Sequence, residues 1–106
     1  MRIELMAFVT GAALACVIAP SVAQNNVVPV TIDNFVFEPA QLTVKVGQTV
    51  TWTNRDDIPH TVVCAGKFRS KTMDTDGTFS FTFTAPGEYK YFCSLHPHMT
   101  GAVKVE

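Results

Sequence analysis

Cys93-Ser94-Leu95-His96-Pro97-His98-Met99 sets a thiol, an imidazole and a thioether in one short loop, each separated from the next by two residues. The residues on either side read as β-strands. Tyr89, Tyr91 and Cys93 alternate with Lys90 and Phe92 on the way in, and Gly101 opens a last apolar run, Ala102 to Val105, on the way out. Such period-2 alternation is the mark of a strand with one buried face. A soft thiolate, nitrogen donors and a weak, long thioether together make the donor set of a mononuclear blue-copper centre. The loop supplies one imidazole at the right spacing, so a second has to come from elsewhere. Pro59-His60-Thr61-Val62-Val63 provides it, well upstream. The site predicted from these residues is His60, Cys93, His96 and Met99 around one copper ion per chain.

Working back toward the N-terminus, the chain from Val27 onward is β throughout. Val28, Val30 and Ile32 alternate with Pro29 and Thr31, and Pro29 places that strand at an edge or a bulge. Asp33-Asn34 turns the chain. Leu42, Val44 and Val46 lead to Gly47-Gln48, and Val50 and Trp52 follow with Thr49, Thr51 and Thr53 on the opposite face, which predicts a hairpin. Asn54 to Asp57 is a polar loop that delivers Ile58-Pro59-His60, after which His60, Val62 and Cys64 are expected to share one strand face. Ala65 to Gly77 is the least regular segment. Phe79, Phe81 and Phe83 alternate with Ser80, Thr82 and Thr84, and Ala85-Pro86-Gly87 turns the chain into the strand that reaches Cys93. About seven to eight short strands imply an all-β fold, an antiparallel Greek-key β-sandwich.

The start of the chain reads as an export signal. Arg2 precedes a nearly continuous apolar run from Leu5 to Ala19, and Ser21-Val22-Ala23 offers small residues for cleavage. The run of roughly 15 residues is short for a membrane span, which needs about 20. Residues 1–23 are therefore expected to be a secretory signal peptide and residues 24–106 the folded domain, with no membrane span in the mature form and a periplasmic location. Ala13-Leu14-Ala15-Cys16 is a lesser match to a lipoprotein box, with Cys16 the lipid-bearing residue. Roughly 80 residues remain after cleavage, near the lower limit for a core without cross-links. A net charge of −1 argues against a nucleic-acid binder. Export would permit a disulfide between Cys64 and Cys93; if Cys93 is a metal thiolate, Cys64 has to stay free.

From Val27 to Glu106 the chain resembles the plastocyanin-like cupredoxins, and their amicyanin branch above all. Asn54-Arg55, Pro59-His60, Gly87-Glu88-Tyr89, Cys93 to Met99 and Gly101 to Val105 carry the resemblance. It implies a type 1 copper protein that shuttles single electrons between redox partner proteins. It also implies that His96 is the ligand nearest the surface, ringed by Ile58, Pro59, Leu95 and Pro97 as a transient docking surface on a monomer. Three positions depart from the family pattern. Thr61 stands where an Asn commonly follows the first His and helps hold the Cys-bearing loop. Leu95 stands where amicyanin-like loops have proline, and its backbone N–H is free to point at the Cys93 sulfur. His98 stands where an apolar residue is usual and is expected to face solvent.

An enzyme is disfavoured by the same residues. Cys93 is flanked by Phe92 and Ser94 rather than by the histidines of a multicopper oxidase, and the loop lacks the second Cys of a binuclear centre. The main alternative is a periplasmic protein that binds copper for delivery or buffering.

Overall fold

The structure, a computed structural model, describes residues 26–106. The predicted signal peptide and Cys16 lie outside the described residues. Among the described residues nine strands are formed: β1 (Val27–Asp33), β2 (Val36–Glu38), β3 (Gln41–Val44), β4 (Thr49–Asn54), β5 (Val63–Cys64), β6 (Phe68–Arg69), β7 (Thr78–Thr82), β8 (Gly87–Phe92) and β9 (Thr100–Val105). They build two facing sheets, one ordered β2-β1-β4-β7 and the other β3-β9-β8-β5-β6. The all-β sandwich expected from the alternation is thus present. Its sheets are mixed: β1 runs parallel to β4 and β3 parallel to β9, the remaining pairs being antiparallel. No helix of the described residues is long and apolar enough to cross a membrane.

The core forms where the alternating faces meet. Val30 and Ile32 of β1, Val50 and Trp52 of β4, Tyr91 of β8 and Val103 of β9 are all buried, with Phe37 and Phe83 closing the ends. Trp52 lies at the centre, edge-on to Tyr91 at 5.3 Å between ring centroids and tilted against Phe68 and Phe79 at 5.7 Å each. Such aromatic pairs add about 0.5–1.5 kcal/mol beyond the area they bury. The outward hydroxyls of the Trp52 sheet pair across strands, Thr49 with Thr82 and Thr51 with Ser80, each at 2.7 Å. Pro29 falls beyond the stretch of β1 that β2 covers (Thr31 to Asp33), so its missing N–H deprives no neighbouring strand of a donor.

Two sequence expectations need correction. The segment around Gly47 is not a hairpin: β3 pairs with β9 and β4 with β1 and β7, so the turn carries the chain from one sheet to the other. Gly47, at φ 97°, takes the left-handed conformation that this change of direction requires. Nor do His60, Val62 and Cys64 share one face of a regular strand. Residues 60 to 64 are all buried, but only Val63–Cys64 form a strand, β5 of the five-stranded sheet, and His60 makes an isolated bridge to Met73. The irregular stretch 65–77 contains the short β6, which folds back on β5.

Candidate metal centre

Parallel pairing of β1 with β4 brings their ends together, Ile32 opposite Asn54. The β1–β2 turn and the loop after β4 therefore meet at one end of the sandwich. Asn54, fully buried, organises that loop. Its side-chain amide donates to the carbonyls of Ile58 (3.0 Å) and Met73 (2.9 Å), and its oxygen accepts the Asp56 amide at 2.9 Å. His60 is then fixed by a reciprocal backbone pair with Met73, at 3.1 and 2.8 Å.

The loop leaving β8 is stitched by three successive backbone bonds. His96 N donates to Cys93 O (3.2 Å), Met99 N to His96 O (2.9 Å) and Cys93 N to Met99 O (3.0 Å). The two-residue gaps read from the sequence are what allow these turns to close. They put the predicted donors on one small arc.

The outcome is a convergence of three donor atoms. Nδ1 of His60 and Nδ1 of His96 each lie 3.7 Å from Cys93 Sγ, and the three atoms sit within 4.8 Å of one another. His60 and Cys93 are fully buried and His96 is half-buried. Met99 is buried and tied by backbone bonds to both Cys93 and His96. Cys64 and Cys93 are both free thiols, so the disulfide alternative is set aside. Leu95 is half exposed, Pro59, Pro97 and His98 are exposed, and Ile58 is half-buried.

The electrostatics favour a thiolate. Burial alone would push the Cys93 thiol up. The Thr61 backbone amide, the His60 and His96 rings and the Leu95 backbone amide outweigh that and hold it down at about 6. The Thr61 amide lies 3.4 Å from the sulfur. The Thr61 hydroxyl also accepts the Ser94 amide at 2.8 Å and pairs with the Ser94 hydroxyl at 2.8 Å, so it fastens the Cys-bearing loop with a shorter reach than an Asn would have. The Leu95 amide that the sequence left free is the smallest of the contributions that lower the Cys93 thiol.

Two contributors escaped the sequence reading. Asp56, buried in the loop read only as polar, sets Oδ2 2.9 Å from His60 Nε2. That hydrogen bond holds its carboxyl below the usual range, against an opposing push from burial. An ionised carboxylate can only accept, so Nε2–H donates to it, and Nδ1 is the ring atom turned toward the sulfur. An acidic residue four positions before the first His was the one available signal. Phe35 is the other. It stands edge-on to both imidazoles, 5.5 Å from His60 and 5.0 Å from His96, although it is 44% exposed. Its backbone is left-handed at φ 63°, an unusual state for an aromatic residue, held by donation from its amide to Asp56 Oδ2 at 3.1 Å.

Comparison with known proteins agrees with this geometry. A family model described as a cupredoxin-like domain matches residues 5–105. The chain is 42% identical to amicyanin of Paracoccus denitrificans over 94 residues, covering 83% of this chain and 71% of that protein. It is 36% identical to amicyanin-alpha of Methylorubrum extorquens over 110 residues, covering 96% and 92%. Among solved structures, the Cu(I) form of a methionine-to-alanine mutant of amicyanin superposes with a TM-score of 0.74 at 37% identity, covering 78% of this chain and 85% of that one. A purple cupredoxin from Nitrosopumilus maritimus gives 0.72 at 33%, covering 74% and 99%.

Proposed function

The chain belongs to the cupredoxin-like family, and from that premise we propose that it is a small periplasmic type 1 copper protein that passes single electrons between redox partner proteins. One observation carries the reading: two imidazole nitrogens each lie 3.7 Å from one buried sulfur whose pKa is lowered, and the three donor atoms sit within 4.8 Å of one another. The donor set fits copper, with His60, Cys93 and His96 as the strong ligands and Met99 as the weak axial one. Bound there, copper supplies a one-electron couple, Cu(II)/Cu(I).

This chain's own residues do the rest. Asp56 holds the His60 ring and Met73 its backbone before metal arrives, and Thr61 and Leu95 hold charge at the sulfur. Rings that are already in place need little rearrangement when the charge at the site changes by one, which suits a carrier rather than an enzyme. Burial of His60 and Cys93 keeps bulk water away from the donors. A delivery protein would favour an open, exchangeable set, which the absence of exposed surface at His60 and Cys93 disfavours.

His96, half-buried among Ile58, Pro59, Leu95 and Pro97, is the proposed contact with partners, and exposed Phe35 joins that rim. An apolar ring with few charges suits brief encounters that bury little area. The protein is proposed to act as a monomer after export and removal of residues 1–23. A visible spectrum of the purified mature protein with Cu(II), taken before and after ascorbate, tests the reading. Intense thiolate-to-copper absorption that bleaches and returns on reoxidation is expected. Colourless, readily surrendered copper would sink it in favour of delivery.

A further inference from the structure

At one side of the sandwich both sheets end in open strands. β7 is the last strand of its sheet and β6 the last of the other. Phe68 of β6 stacks on Phe79 and Phe81 of β7 at 5.9 and 4.6 Å, so the two open edges lie on the same side. Between them runs a groove with Arg69 and Lys71 on one wall, Thr78 on the other, and Met73 and Phe79 within it.

Lys67, Arg69 and Lys71 are exposed at alternate positions, with half-buried Phe68 and buried Ser70 between them. Arg69 belongs to β6 and Lys71 follows it, while Lys67 lies in the turn before β6 with its ammonium 6.0 Å over the Tyr89 ring. None of the three cations forms an ion pair among the described residues, whose ion pairs are Arg55–Asp76, His60–Asp56 and Lys104–Glu106. Residues 65–73 hold no acidic side chain, in a chain whose net charge is −1. Positive charge is therefore gathered on this edge while the remainder of the surface is net negative. Asp74, at the end of the groove, is the single carboxylate lining it.

The stripe runs toward the metal centre. Ser70 N donates to Val62 O at 2.8 Å, and Met73 and His60 exchange both backbone bonds. A molecule seated along the groove thus ends one hydrogen-bonded pair from His60, on a different flank from the apolar ring around His96.

We propose that this open edge is a docking face for a partner protein that presents carboxylates, with Lys67, Arg69 and Lys71 as the groups that receive them. The inference rests on the electron-carrier reading for the partner's role, though not for the contact itself. A protein surface fits better than a nucleic acid or an anionic membrane. Three cations neutralise too few phosphates for useful affinity at physiological salt, and the half-buried Phe79 side chain offers apolar contact that a phosphate backbone cannot use. Exposed complementary charges act mainly on the rate and orientation of encounter, so the contact is expected to be salt-sensitive.

The test uses the isotopically labelled, copper-loaded protein and poly-L-glutamate as the carboxylate probe. Amide shifts confined to residues 67–73 are expected at low salt, fading as salt is raised. The triple variant Lys67→Glu/Arg69→Glu/Lys71→Glu should weaken binding at least about tenfold, three exposed pairs being lost together. The control Lys45→Glu/Lys90→Glu/Lys104→Glu changes net charge equally at exposed positions elsewhere and should retain most of the binding. Equal losses in both variants, or shifts spread over residues 45, 90 and 104, would overturn the proposal. So would shifts with oligothymidylate or phosphatidylglycerol vesicles and none with poly-L-glutamate. The visible spectrum of the same samples reports separately on the electron-carrier reading: its failure would leave the shifts at residues 67–73 in place.

Discussion

At Asp56 a single carboxylate accepts from His60 Nε2 and from the Phe35 amide. Removing it leaves the imidazole free to change tautomer and to rotate. Asp56→Ala is therefore expected to weaken copper binding by about 10- to 100-fold in a chelator competition, the usual cost of losing the group behind a ligand histidine. Asp56→Asn keeps an accepting oxygen and should fall between. The sulfur offers two more predictions. The Leu95 amide draws charge from the Cys93 thiolate and so favours Cu(I); Leu95→Pro removes that N–H and should lower the reduction potential in a redox titration. An unchanged or higher potential would reject this role for the amide. In the metal-free protein the Cys93 thiol sits at about 6, below its ordinary value of 9.0. A depressed folded-state pKa adds stability that is complete above the unfolded value and lost as pH falls through the folded one. The denaturation midpoint of metal-free protein should thus rise between about pH 6 and 9, and Cys93→Ser should flatten that slope.

The pairing of β8 with β9 depends on a close approach at one register position. Tyr91 faces Gly101 directly, and its ring leans over the glycine so far that a Cβ there would land within the phenol. Tyr91 cannot withdraw, because it is packed between Trp52 and Phe37, whose ring centroids lie 5.3 and 4.8 Å away. Gly101→Ala should accordingly cost about 2 kcal/mol through overpacking, read as a lower denaturant midpoint with an unchanged slope. An alanine variant as stable as the parent would show that the ring has room to shift. In the sequence Gly101 marked only the opening of a strand; its partner was hidden because cross-strand register depends on the whole sheet. The same limit explains the turn at Gly47. Alternation identified the strands on either side, yet it carries no information on which sheet each one joins. Two consecutive strands joined by a short turn suggested a hairpin until β9 and β1 were seen to be the partners.

The spacing of Cys93, His96 and Met99 was legible because their geometry is local: a loop closed by its own backbone bonds keeps its donors together whatever the rest of the chain does. His60 was legible as a residue type in a pattern, and its convergence on Cys93 needed the sandwich. Phe35 was not legible, because it reaches the site through a contact between the β1–β2 turn and the loop after β4, 21 residues apart, and Asp56 left only its spacing from His60 as a signal. The metal centre thus ties together three loops at one end of the molecule, and its occupancy should govern the stability of the whole. The folded domain is close to the size below which a core without cross-links is marginal, and both thiols are free. A ligand that binds only the folded state stabilises it by about 4 kcal/mol at a thousand times its Kd. For a domain of this size that corresponds to a rise in Tm on the order of 20 °C. Stripping copper with a chelator should lower the thermal midpoint by that order, and restoring the ion should recover it. Coincident midpoints with and without copper would mean that the three loops are held by their own hydrogen bonds alone, and that the metal adds function without adding stability.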